Sequence, residues 1–394
     1  MDEIRIGLVG LGHRGLHWLR MLERIEGYRI TALCDPIEVL HERALAALED
    51  RKGVTAYASY ADMLGDPQVD AVAVTVRCKE QGALAAMALE AGKHVNCEVP
   101  AAHTLEDCWR IVLAQERSGL VYQLGEQTRF WGYIDAWRDV VQSGKLGRVT
   151  FCEGQYIGYY GTRQFFQDPD TGEFSAVEDL PENPGAQPTW LHTMPPIHYL
   201  PHELSPLLKV LDDRVLTVTA MSTGAPSYSH PEIGQPDIQA ALMKTEKDAI
   251  LRLVCGFTQP VSHGMGHHWF HIAGTNGVLE WKRSGKGKPL MWLADGQMHD
   301  MAEMDWGHAR TDAPAAARGS GHGDADYYVH VSFRDAVLGI TPLEFDVYQA
   351  MDTAAPAILA ADSIDQGTTL LEVPDFRPGP MRQKGEEPSG DLIR

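Results

Sequence analysis

The stretch "IRIGLVGLGHRGLHWLRMLER", residues 4–24, limits the possible folds more than any other part of this chain. An apolar strand runs into Gly10-x-Gly12-x-x-Gly15, and an amphipathic helix follows. In that context the first glycine permits a tight turn and the second lets the backbone approach a pyrophosphate. The third lets helix and strand pack closely, and the helix N-terminus favours the phosphate charge. His13 and Arg14 lie inside the same turn and are counted with the cofactor-binding residues. A second strand, "YRITALCD", ends in Asp35, twenty residues beyond Gly15. An acid there accepts hydrogen bonds from both ribose hydroxyls and repels a 2′-phosphate, so NAD is expected rather than NADP.

The alternation continues. "VDAVAVTV" is an all-apolar strand suited to the middle of a parallel sheet. "EQGALAAMALEAG" reads as a helix ending near Gly92, and "KHVNCEVP" as the next strand. "TLEDCWRIVLAQERSG" reads as a helix capped by Thr104, with Asp107 three residues on, and "LVYQLGE" as a further strand. This is the pattern of a doubly wound parallel sheet, whose ligands meet the carboxyl ends of the strands. Thr75, Glu98 and Glu126 fall at such ends, and Gln81 and Gln127 join the residues expected at the cofactor.

Beyond about residue 125 the pattern changes to strand material with turn signals at Glu246-Lys247-Asp248 and Asn276-Gly277. The expected architecture is α/β: an NAD-binding Rossmann domain over 1–124, then an α+β domain over 125–379. The second domain carries a large, mostly antiparallel open sheet, and the late helices pack back on the first domain. Residues 161–196 read as a long loop of functional character, and 380–394 as a polar, extended or mobile tail.

The net charge of −20 argues against nucleic acid and anionic membranes, both of which need a basic face. No window approaches a membrane span, and the N-terminus enters a strand with no secretory pattern. Six scattered cysteines without a C-x-x-C pair read as reduced core thiols, which places the chain in the cytoplasm.

"GKHVNCE-x-P" and the two-domain layout together resemble the Gfo/Idh/MocA (glucose–fructose oxidoreductase / inositol dehydrogenase) superfamily. The motifs "CEVPAAHTLEDCW", "GEQ", "EGQY", "YLPHELSP", "GHGDADY" and "DVYQAMDTAAPAILAADSIDQGTTLLEVPDF" resemble one branch of it more closely. That branch is the NAD-dependent α-N-acetylgalactosaminidase-like glycoside hydrolases, and the similarity runs in order from the first strand to about Phe376. The resemblance implies a small-molecule glycoside substrate and a cycle without net redox change. Hydride leaves sugar carbon 3, the resulting ketone acidifies the carbon 2 proton, and the glycosidic oxygen is eliminated from carbon 1. Water then adds and the hydride returns. An unactivated C–H bond is beyond a His or Tyr base, but one beside a carbonyl is not. The alternatives are an ordinary NAD-dependent sugar or glycoside dehydrogenase that accumulates NADH, and a nucleotide-bound sensor without chemistry.

The resemblance also suggests site residues. His202 would take the hydroxyl proton as hydride leaves, Tyr156 would be the base at carbon 2, and Tyr199 would bond the sugar or the leaving oxygen. As carbon 2 base, Tyr156 would need its acidity increased by the nicotinamide charge or a neighbouring cation. Glu126 would grip sugar hydroxyls, and His198, Trp190 and His322 are further candidates for the substrate pocket. Trp131 and Tyr133 could stack on a sugar, with core packing the default for both.

This chain departs from the superfamily at four places. Val99 stands where many dehydrogenases carry a lysine, and Gln81 where many members have a His. "HELSP" replaces a glycine-bearing motif, and His198 stands where ordinary dehydrogenases have an Asp. The run "SHGMGHHWFH" holds His263, His267, His268 and His271. On a strand His267 and His271 share one face and His268 the other, so no metal site is expected, although one of the four could line the sugar pocket. The open sheet needs cover, which suggests a homo-dimer or homo-tetramer.

Overall fold

The computed structural model describes residues 3–158, 164–192, 194–258, 267–281, 287–294, 298–380 and 382–389. Its first half alternates strand and helix as expected: β1 (Ile4–Val9), α1 (His13–Arg24), β2 (Tyr28–Cys34), α2 (Glu38–Ala47), β3 (Thr55–Tyr57) and α3 (Tyr60–Leu64). There follow β4 (Ala71–Val74), α4 (Cys78–Glu90), β5 (His94–Cys97), α5 (Leu105–Ser118) and β6 (Tyr122–Leu124). The strands are parallel in the order β3-β2-β1-β4-β5-β6. The order reverses between β1 and β4, and a crevice opens there at the carboxyl ends of the strands. All four residues of β4 are buried, because helices cover both faces of a parallel sheet. Thr104 caps α5 by accepting the Asp107 amide at 3.1 Å.

The second half contributes α6 (Gly132–Gln142), β7 (Val149–Ile157), β8 (Phe166–Gln167), β9 (Phe174–Ser175), β10 (Gln187–Pro188) and α7 (Pro201–Leu211). It continues with β11 (Val215–Ser222), β12 (Gln239–Thr245), β13 (Ile250–Gly256), β14 (His268–Gly274), β15 (Gly277–Trp281), β16 (Pro289–Leu293) and β17 (Ala302–Glu303). The helices α8 (Ala325–Val337) and α9 (Val347–Asp365) and the short β18 (Leu371–Glu372) complete it. Nine strands form one sheet, β17-β16-β15-β14-β7-β13-β12-β11-β18, in which only the β7–β13 pairing is parallel.

One face of this sheet meets helices. Along β7, Cys152, Gly154 and Tyr156 are buried in alternation, the period of a strand with one covered face. Residues of α9 enter both the second-domain core, through Ala357 and Leu359, and the first-domain core, through Ala354 and Ile358.

Two expectations need correction. The described part of residues 161–196 is not a structureless loop but a small three-stranded sheet, β10-β8-β9, with short 3₁₀ turns. The described part of the tail, residues 382–389, is also tied down. Arg382 is buried, with its terminal nitrogens 2.7 and 2.8 Å from the two oxygens of Glu116, and the Gly385 amide bonds the same carboxylate. A buried charge must be paired, and local composition does not reveal a partner 266 residues away. Among the described residues no helix is long and apolar enough to cross a membrane. All six cysteines are buried and unpaired.

Candidate active site

The turn after β1 builds the floor of the site. Gly10 has φ +89°, a left-handed conformation, and a Cβ there would meet the Thr75 backbone at 2.8 Å. A Cβ on Gly15 would lie 1.9 Å from the Gly10 carbonyl oxygen, so only glycine lets α1 approach β1 this closely. Gly12 differs: nothing lies within 4 Å of the position its Cβ would take. No side chain caps α1, so its first-turn N–H groups are left to a ligand. Asp35, just past β2, accepts the Leu11 amide at 2.8 Å and the Ile37 amide at 2.9 Å. An open glycine, an uncapped helix start and a fixed acid at the second strand end fit a pyrophosphate and a ribose diol.

One continuous cavity of about 890 Å³ runs from this turn into the second domain. Gly10, Gly12, His13, Arg14, Asp35, Thr75, Gln81, Glu98 and Gln127 line its first-domain end, and Gly15 packs beneath it. Tyr156, Trp190, Tyr199, His202 and His322 line the other end. The structure thus brings nearly all the expected cofactor residues and all three expected catalytic side chains to a single cavity. Val99 also lines it, where a lysine was absent, and its carbonyl accepts the Gln81 side chain at 3.2 Å.

His202 sits in the first turn of α7, and Tyr199 on the 3₁₀ turn that leads into it. The His202 ring lies 5.4 Å from the Tyr156 ring and 5.8 Å from the Tyr199 ring, and Trp190 is 5.3 Å from Tyr199. Behind His202 stands Glu126, and here the expected role is corrected. Glu126 is fully buried, does not line the cavity, and places its oxygens 3.0 and 2.9 Å from His202 Nδ1. The Thr128 amide and hydroxyl donate to it at 2.9 and 2.8 Å. Burial pushes its pKa up, but the His202 ring and the Thr128 donors outweigh that and hold the carboxyl below the ordinary range.

His198 is likewise corrected. It is buried off the cavity, its ring 4.9 Å from that of His103. Burial, helped by His103, brings it down to about 3, so it is a neutral core imidazole. Trp131 and Tyr133 are core residues too, packed on Trp281 and Phe270 rather than the cavity.

Four features of the site were not expected from sequence. His322 lines the cavity, but its Nδ1 is also 3.0 Å from Asp326, a nearly inaccessible carboxylate. The same Asp326 bonds His17 at 2.8 Å and both terminal nitrogens of Arg14 at 3.2 Å, while Arg14 Nε reaches Glu98 at 2.5 Å. The "GHGDADY" turn is thereby fastened to the first turn of α1. Burial pushes Asp326 up, but Arg14, His17 and His322 pull it well below the ordinary carboxylate range.

Second, the β8–β9 hairpin reaches over the dinucleotide end. Phe174 stacks on His13 at 5.2 Å, Gln167 contacts Arg77 at 3.4 Å, and both Phe174 and Gln167 line the cavity. Third, Cys78 at the start of α4 is part of the lining, its thiol pushed up to about 12, chiefly by burial. Fourth, His268 points inward beneath Tyr156. His267 is exposed, His271 faces away from His268, and His263 lies outside the described residues. Among the described residues no three His, Cys, Asp or Glu side chains are arranged to hold a metal ion.

Residues 4–126 match the family described as "Oxidoreductase family, NAD-binding Rossmann fold", and residues 219–383 match "Glycosyl hydrolase 109, C-terminal domain". A protein of Shewanella sp. (strain W3-18-1) named "Glycosyl hydrolase family 109 protein" is 26% identical over 96% of this chain and 86% of its own. A Phocaeicola vulgatus protein named "Glycosyl hydrolase family 109 protein 2" is 25% identical over 97% and 96%. Among solved structures, an oxidoreductase from Agrobacterium radiobacter in complex with NAD+ superposes with a TM-score of 0.70 at 18% identity, covering 94% of this chain and 98% of that one. The scyllo-inositol dehydrogenase of Lactobacillus casei with bound NAD(H) and scyllo-inositol gives 0.68 at 17%, covering 94% and 99%. The structural likeness shows the shared two-domain fold. The match over 4–126 shows an NAD-binding Rossmann fold, the region that holds the glycine turn and Asp35.

Proposed function

Because the chain belongs to the Gfo/Idh/MocA oxidoreductase superfamily, in its glycosyl hydrolase 109 branch, we propose that it is a glycoside hydrolase that keeps NAD+ bound throughout turnover. The observation that carries this reading is the single cavity joining the NAD turn to Tyr156, Tyr199 and His202. Bound NAD+ would supply a hydride acceptor for carbon 3 of the sugar and return the hydride at the end of the cycle.

The chain's own residues do the rest. His202 takes the carbon 3 hydroxyl proton. Glu126 sets the tautomer: its carboxylate receives Nδ1–H, which leaves Nε2 as the basic nitrogen on the cavity side. Tyr156 takes the proton on carbon 2, Tyr199 bonds the leaving oxygen, and Trp190 and His322 bound the sugar pocket. No pair of carboxylates flanks the reacting sugar in this scheme, because Glu126 is spent on His202 and Glu98 on Arg14. The β8–β9 cover supports retention of the cofactor, since an enzyme that releases NADH each turn gains nothing from a Phe174–His13 stack over the groove.

Six buried, unpaired thiols support a reducing compartment, the cytoplasm. The sheet face turned away from the helices exposes Met221, Leu242 and Ile250, and we place a homo-oligomer contact there.

The test is a panel of 4-nitrophenyl glycosides, α-N-acetylgalactosaminide first, assayed with and without added NAD+. The expected outcome is nitrophenol release without NADH accumulation, with the carbon 2 proton exchanging for solvent deuterium. His202→Ala should lose both by at least two orders of magnitude. NADH rising in step with substrate consumed would instead establish a net dehydrogenase. Absence of turnover and of transient NADH across the panel would leave the sensor reading standing.

A further inference from the structure

Behind Tyr156 lies a second histidine–carboxyl pair that the scheme above does not use. His268 stands directly opposite Tyr156 across the β14–β7 ladder, and the two rings stack at 4.2 Å with 21° between their planes. On its far side, His268 Nδ1 is 2.6 Å from Glu203 Oε1. Glu203 follows His202 in the first turn of α7 and is fully buried, and its second oxygen has no hydrogen-bond partner. Its place is made by Gly154 on β7. A Cβ there would come within 2.9 and 3.0 Å of the Glu203 side chain.

The two pairs differ in charge. Glu126 receives donors from His202 and Thr128 and is held ionised. Among the described residues the Glu203 carboxyl bonds His268 alone, and burial together with the Glu126 charge raises it well above the ordinary range. Burial, then His202, His322, His267 and His308, lowers His268 well below its ordinary value. The aromatic neighbours are Trp131 on the His268 side and Tyr199 and Phe257 on the Tyr156 side, with His202 near both rings. Both directions favour the pair with each member neutral, its one proton lying on the 2.6 Å path between the two acceptors.

Resting on the glycosidase reading, we propose that Glu203 and His268 are positioning residues that control the acidity of Tyr156. When the phenol gives its proton to water in the cavity, the Glu203 proton crosses to His268 Nδ1. One O–H bond breaks and one N–H bond forms. The pair gains and loses nothing, and an imidazolium then stands against the phenolate ring. The phenolate takes the carbon 2 proton, and the reverse shift returns Glu203 and His268 each to its neutral form when Tyr156 is protonated again. An opposite charge this close favours the ionised phenol, which is what a base at carbon 2 requires.

The experiment uses the full-length holoenzyme and the 4-nitrophenyl glycoside turned over fastest in the panel. Carbon 2 exchange with deuterium is followed across pH, and transient NADH absorbance reports hydride transfer separately. His268→Phe keeps the stacked ring but cannot take a proton, and Glu203→Gln keeps the shape but cannot give one. Both variants should exchange at least tenfold more slowly at neutral pH, with the profile displaced to higher pH by one unit or more. Hydride transfer should stay within about threefold of wild type.

Exchange profiles that superimpose on wild type overturn the proposal. So does an equal fall of exchange and hydride transfer with unchanged pH dependence, which would mark the pair as mere support. If His268→Phe does not fold, the isosteric Glu203→Gln decides alone. A wild type that shows neither transient NADH nor exchange would sink the glycosidase reading itself, and this proposal with it.

Discussion

At the residue scale, adjacent side chains on one helical turn are given opposite tasks. His202 faces the cavity and leans on an ionised Glu126, while Glu203 faces the sheet and leans on His268. The protonation of the second pair has a consequence for stability. In the unfolded chain Glu203 loses its proton above its ordinary 4.5 and His268 gains one below its ordinary 6.5. Between these values folded and unfolded states both hold one proton on the pair, so its contribution is flat. Glu203→Gln removes the acid and leaves a histidine neutral only when folded. The variant should therefore gain stability, relative to wild type, as pH rises from 4.5 to 6.5, by up to about 1.4 kcal/mol per pH unit. His268→Phe leaves an acid neutral only when folded and should lose stability over the same window. Thermal unfolding of the three proteins at four pH values decides it. Parallel curves would show the pair to be ionised in the folded state.

At the element scale, the turn from β1 into α1 separates packing from binding. Gly12→Ala adds a methyl group to open space at φ −69°, so the free protein should unfold within about 0.5 kcal/mol of wild type. Its NAD affinity, measured by calorimetry on protein stripped of cofactor, should fall at least tenfold because the methyl group occupies the pyrophosphate's approach. Gly15→Ala drives a methyl group into the Gly10 carbonyl and should lower the stability of the free protein by about 2 kcal/mol or more. Equal effects of the two substitutions on free-protein stability would contradict this division.

Both expectations were readable in the sequence, since each glycine's position relative to strand and helix states its reason. The β8–β9 cover was not. Two-residue strands carry too little periodicity to detect, and Phe174 acquires its role only by landing on His13.

At the scale of the whole molecule, the two halves are joined by more than proximity. Asp326 in α8 gathers Arg14 and His17 from α1, and α9 enters both cores. What remains uncovered is the outer face of the nine-stranded sheet, where Leu242 and Ile250 are 50% and 45% exposed. Leu242→Asp with Ile250→Lys should shift the protein from an oligomer to a monomer in light scattering, with the thermal midpoint of the monomer remaining above 40 °C, in the usual mesophile range. A wild type that is monomeric at 50 µM would refute the contact.

The sequence by itself determined the NAD turn, the parallel sheet and the open second sheet, while Tyr156, Tyr199 and His202 were suggested by the family resemblance. The first three features rest on local spacing: a glycine turn must follow a strand, and alternation along β7 decides which residues face inward. Tertiary structure alone decided what each carboxyl does. Glu126, Glu203 and Asp326 read alike in the chain, as acids of no stated partner. Their roles follow from partners brought by other elements: His202 across 76 residues, His268 across 65 and His17 across 309. A buried charge takes its state from its nearest donors and from the water it has lost, and both are set only when distant elements pack against one another.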